Sequence, residues 1–142
     1  MLDGVLITPK RVIADDLGEV RHMMRNDEDA FEQFGEVYLS WVKPDVTKGW
    51  KLHTRVTGNV CVPVGQVRYV LHDMRSESPT HGQTQEVSLG TDPHQLLTIP
   101  PGIAYAWQNL SKESSLVLNC TAHPWEAGEA QEIPLQDIAF DW

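Results

Sequence analysis

At 142 residues, the chain has room for one hydrophobic core and not for two, because a second would be too small to hold itself together. Its formal net charge of -9 excludes nucleic acid and anionic membrane as partners, since affinity for either depends on clustered Lys and Arg. A composition 41% hydrophobic and 22% charged is too apolar for a disordered chain, no run approaches the roughly 20 apolar residues of a membrane span, and Met1 to Lys10 lacks a basic-then-apolar leader. One domain over residues 1–142, in the cytoplasm, is the expectation.

In chain order, Asp15 to Phe34 carries no clean period: Asp27 to Phe34 fits one or two helical turns, and Arg21 to Arg25 fits a strand equally well. Read as a strand, Lys51 to Arg55 puts Lys51, His53 and Arg55 on one face and Leu52 and Thr54 on the other. That charged face is either a cavity lining or a solvated edge. The alternating runs Asn59–Val64, Val67–Asp73, Gln85–Leu89, Gln95–Ile99 and Ser115–Cys120 predict further short strands. Turn residues at Gly65-Gln66, Ser76–Gly82, Gly90–Pro93, Pro100–Gly102 and Ser111–Ser114 separate them, a spacing that predicts an all-β sandwich or barrel. Cys61 and Cys120 fall in apolar strand-like runs and are expected as buried free thiols. Pro124 to Pro134, acidic and containing Gly128, reads as a surface loop, and the apolar residues of Ile133 to Trp142 as a tail docked on the barrel. Trp41 and Trp107 are assigned to the core, and His22, His72, His81 and His94 to the surface.

Two stretches carry a resemblance. Leu97 to Ser111 is similar to the strand, Pro-x-Gly turn and return strand of cupins, with Pro100, Gly102 and Asn109 in their places. Val67 to Gly82, which contains Val70, Asp73, Arg75, Ser78-Pro-Thr80 and Gly82, resembles a motif of the dTDP-4-dehydrorhamnose 3,5-epimerase family. The resemblance implies a cupin-type double-stranded β-helix, the jelly-roll barrel, and a homodimer in which strands of one barrel extend the other's sheet.

Upstream, Gly49-Trp-Lys-Leu-His53 stands where that family has Arg-Gly-Leu-His, so the resemblance makes His53 the catalytic base. Leu118 to Trp125 matches Leu-Tyr-x-Thr-Thr-x-Tyr-Tyr, which places Trp125 at an aromatic position near the bound nucleotide-sugar. The departures are as informative. The family's catalytic Tyr falls at Asn119, its Arg before the His at Trp50, its enolate-stabilising Lys at Gly58, and a second His at Tyr105; the Asp that pairs with the catalytic His falls beyond Trp142.

Epimerisation next to a ketone needs a base, a group that stabilises the enolate oxygen, and a donor on the opposite face. The candidates are His53 as base, oriented by Asp73, with Lys51 beside the enolate and Tyr105 or Tyr69 returning the proton. Arg55, Tyr69, Asn119 and Trp125 are the candidate substrate contacts. Metal cupins need a His-x-His pair, a Glu and a further His, of which only His53 is present, so neither metal nor other cofactor is expected. The first reading is an isomerase of a nucleoside-diphosphate 4-keto-6-deoxy sugar in deoxysugar or surface-polysaccharide biosynthesis. Loss of the Tyr position favours one-centre epimerisation or ketoisomerisation over double epimerisation. The alternative is a catalytically inactive cupin that binds a sugar nucleotide as a regulatory or scaffolding subunit.

Overall fold

A computed structural model describes all residues, 1–142. Twelve strands and one short 3-10 turn make it up: β1 Leu6–Pro9, β2 Val12–Asp15, β3 Gly18–Arg21, β4 Glu36–Val42, β5 Thr47–His53, β6 Gly58–Val64, β7 Gln66–Asp73, β8 Thr84–Gly90, β9 Gln95–Ile99, β10 Ile103–Asn109, β11 Ser115–Thr121 and β12 Ala130–Ile133, with the turn at Leu135–Asp137. Two five-stranded antiparallel sheets, ordered β1-β9-β6-β11-β4 and β12-β5-β10-β7-β8, face each other, and β2 and β3 form a separate hairpin. The all-β jelly-roll expectation is met. No helix is long and apolar enough to cross a membrane.

Alternation builds the core. Val60 and Val62 of β6, Tyr69 and Leu71 of β7, Ile103 and Tyr105 of β10 and Val117 of β11 turn inward between the sheets, as the pleat requires of every second residue. The outer face of the second sheet is also covered. Trp50, Val70, Ala104 and Ala106 lie under Ile138, Phe140 and Trp142 of the C-terminal tail, and the Trp50 indole donates to the Leu135 carbonyl at 3.2 Å. The docked tail expected from its apolar residues is therefore present.

One open segment is settled and three assignments are corrected. Asp27 to Phe34 holds turns and no helix; Met23, Met24 and Ala30 pack over Cys61, Leu96 and Leu118 on the outside of the first sheet. Pro124 to Pro134 is not all loop, because β12 pairs with the β5 edge, Ala130 opposite His53 and Glu132 opposite Lys51. Trp41 is 58% exposed, since β4 turns Tyr38, Ser40 and Val42 toward the barrel and leaves Val37, Leu39 and Trp41 outside. His94 is buried, its Nε2 2.8 Å from the His22 carbonyl oxygen. Cys61 and Cys120 are buried free thiols, as expected.

Candidate active site

His53 closes β5 where the strand meets the end of the barrel. Its Nδ1 lies 2.6 Å from Oε2 of Glu129, a buried carboxylate just before β12. The other oxygen, Oε1, accepts the backbone amides of Thr54, Arg55 and Val56 at 2.9–3.0 Å. Burial opposes ionisation of Glu129, but the amides of Arg55 and Val56 together with the His53 imidazole outweigh it and hold its pKa at about 2. An ionised carboxylate accepts only. Nδ1 therefore carries a proton and donates to Glu129; in the neutral imidazole this leaves the lone pair on Nε2, 3.1 Å from the Tyr105 hydroxyl.

Asp73 does not orient His53. Its carboxylate is wholly buried and accepts the Arg75 amide and guanidinium and the Ser78 and Thr80 hydroxyls. These donors, Arg75 foremost, hold its pKa far below the usual carboxylate range against the cost of burial. Asp73 thus ties down the Ser76 to Gly82 turn. Arg55 is the second correction: β5 ends at His53, so the alternation does not continue, and Arg55 points into solvent, paired with Glu126.

Two cavities meet at this end of the sheets. One, of about 290 Å3, is lined by His53, Lys51, Tyr38, Trp125 and Glu129. The other, of about 460 Å3, runs inward along Lys48, Tyr69, Tyr105, Trp107 and Asn119. Tyr38 and Lys51 line both. Tyr69, Tyr105 and Trp107 form an aromatic wall with ring centroids 5.7–6.3 Å apart. Burial raises the pKa of both tyrosines, so their phenols stay protonated.

Lys48 was not a sequence candidate. A bulge sets Tyr105 opposite Lys51 but Trp107 opposite Lys48; the extra β5 residue turns both lysines to the cavity despite their odd spacing. The Lys48 ammonium sits 5.8 Å from the Trp107 ring centroid and donates to Ser40 Oγ. Burial, then the Lys51 charge, lowers its pKa. Glu129 and Tyr38 were also missed. The clean alternation of Glu36 to Val42 would have found the strand of Tyr38, whereas nothing local marks Glu129, 76 residues from His53.

The family model described as dTDP-4-dehydrorhamnose 3,5-epimerase matches residues 1–142. The chain belongs to that family. Among relatives, the spore coat polysaccharide biosynthesis protein SpsL of Bacillus subtilis is 31% identical, the match covering 100% of this chain and 97% of that protein. A solved dTDP sugar isomerase from Desulfovibrio desulfuricans is 40% identical with a TM-score of 0.95, covering 99% and 92% of the two chains. A dTDP-4-dehydrorhamnose 3,5-epimerase from Sulfolobus tokodaii shares the fold at 22% identity, TM-score 0.87, over 99% and 81%. The resemblance drawn from the motifs is thus borne out, as are the enzymatic and sugar-epimerase readings at family level. Glu129, which no motif pointed to, is the carboxylate that pairs with the sequence candidate His53.

Proposed function

We propose that the protein epimerises, at one centre next to the ketone, a nucleoside-diphosphate 4-keto-6-deoxy sugar, with dTDP as the first nucleotide to test. The observation that carries this reading is the Glu129–His53 pair: an ionised carboxylate fixes the imidazole proton on Nδ1 and leaves Nε2 as a base at a cavity that also holds Lys51. Tyr105 O–H caps Nε2 and yields its place to the substrate's C–H. Lys51 takes the developing enolate oxygen, replacing the family lysine that falls at Gly58. Trp125, 74% exposed at the mouth of the cavity, offers a ring for the nucleotide or sugar to stack on.

The test is proton NMR of dTDP-, GDP- and CDP-linked 4-keto-6-deoxyhexoses in deuterated water. Wild-type protein is expected to place deuterium at C3 or C5, and His53→Ala to slow that exchange by at least about 10²-fold. Saturable binding without exchange by the wild type would instead favour a non-catalytic, sugar-nucleotide-binding subunit.

The working unit we infer is a cytoplasmic homodimer. Val37, Leu39 and Trp41 stand exposed in a row on the edge strand β4, and the β2–β3 hairpin projects with all of Val12, Ile13 and Val20 exposed. An open apolar edge of this kind is ordinarily covered. The two free buried thiols suit a reducing compartment. Sedimentation is expected to give a dimer that Leu39→Glu dissociates; a wild-type monomer at tens of micromolar would sink the idea.

A further inference from the structure

Resting on the proposed epimerase reading, we infer that Tyr38 is the acid that returns a proton to the face of the substrate opposite His53. The motif position of the family's catalytic Tyr is Asn119 here, and Asn119 is directly across from Tyr38 in the β4–β11 register. The phenol stands one strand away from where the motif would place it. Tyr38 rises from the first sheet and His53 from the second, and both line the same 290 Å3 cavity. A substrate between the sheets therefore meets the base from one side and the phenol from the other.

The hydrogen bonding gives the phenol its direction. Asn119 Oδ1 accepts the Asn59 amide at 3.1 Å, which fixes the side-chain amide so that Nδ2 donates to the Tyr38 hydroxyl at 2.8 Å. The Tyr38 oxygen is thus an acceptor toward Asn119, and its own proton has no acceptor in the protein. That proton is free for the cavity. The same Nδ2–H stabilises the phenolate left behind, while partial burial keeps the resting group protonated. The alternatives are worse placed: Tyr105 hydrogen-bonds the base itself, on the His53 side, and Tyr69 is 1% exposed behind it.

The step balances without a co-reactant. His53 Nε2 takes the proton from the carbon next to the ketone, whose electron pair becomes the enolate. That carbon then forms a bond to the Tyr38 proton on its opposite face as the phenolic O–H breaks. The phenolate regains a proton from water, and the imidazolium releases one. Asn119 is the positioning residue in this scheme and Tyr38 the catalytic one.

The experiment separates abstraction from inversion. With dTDP-4-keto-6-deoxyglucose in deuterated water, wild type is expected to exchange and invert the same carbon. Tyr38→Phe should still exchange it within about threefold, because His53 is untouched, but form inverted product about 10²–10³-fold more slowly. Tyr38→His, which restores an acidic N–H, should invert at least about tenfold faster than Tyr38→Phe. Normal inversion by Tyr38→Phe, equal loss of exchange and inversion, or equal rates for the Phe and His variants would each overturn the assignment. Absence of exchange by the wild type would instead remove the epimerase reading, and this one with it.

Discussion

Glu129→Gln is expected to lower turnover about 10³-fold while the protein still folds. Gln retains an oxygen for the amides of Thr54, Arg55 and Val56, all of which Oε1 accepts in the native chain. At Oε2, however, the substitution sets an NH2 group against His53 Nδ1, where the native contact is 2.6 Å. Nδ1 must then accept, the imidazole proton moves to Nε2, and the face toward the substrate ceases to be a base. KM should change far less than kcat, since Oε2 and Nδ1 face each other rather than the cavity. A variant with native turnover would mean that the tautomer of His53 does not matter to the reaction.

The same residue predicts an acid limb in stability. Its pKa is about 2 in the folded chain against an ordinary 4.5. A carboxylate whose folded value is depressed contributes fully above the unfolded value and loses that contribution as pH falls through the folded one. The stabilisation is therefore complete above about pH 4.5 and is lost between there and about pH 2, to the extent of about 3 kcal/mol. Urea unfolding of wild type and Glu129→Gln should differ most near neutrality and converge toward pH 2. Curves that stay parallel would remove Glu129 from the account.

The second large effect separates a carboxylate that holds the fold from one that serves the chemistry. Asp73→Ala is expected to cost about 3–5 kcal/mol, because it strips a wholly buried carboxylate from the Arg75 guanidinium and leaves the Ser78 and Thr80 hydroxyls without their acceptor. Per folded molecule, turnover should stay within about threefold of wild type, measured at low temperature where the variant remains native. Loss of turnover without loss of stability would return Asp73 to the site, where its strand face and the family resemblance had put it.

Strands β6 to β9 and β11 were legible because each is a short apolar or alternating run set off by turn residues, and β10 was legible as the return strand of the cupin-like motif. β12 left no such trace: Ala-Gln-Glu-Ile is half-exposed and acidic, and becomes a strand only by pairing with β5. Glu129 was hidden for the same reason, since its partners are amides and an imidazole brought close by tertiary folding. Lys48 was hidden by the bulge, which breaks the alternation that correctly placed Lys51 with His53. Trp41 shows the converse error. The pattern of β4 is clean, but a pattern cannot say which face looks inward when the outer one is also apolar.

The bulge has an optical consequence. Of the five tryptophans, Trp41 and Trp125 face solvent, and Trp50 and Trp142 pair with centroids 5.7 Å apart on the outer face. Trp107 alone stacks on the cavity tyrosines, with the Lys48 ammonium held against its ring. An anionic ligand that draws Lys48 away changes the electrostatics of that indole. The protein thus carries an intrinsic fluorophore at the floor of its own cavity, and occupancy can be read from emission without a label.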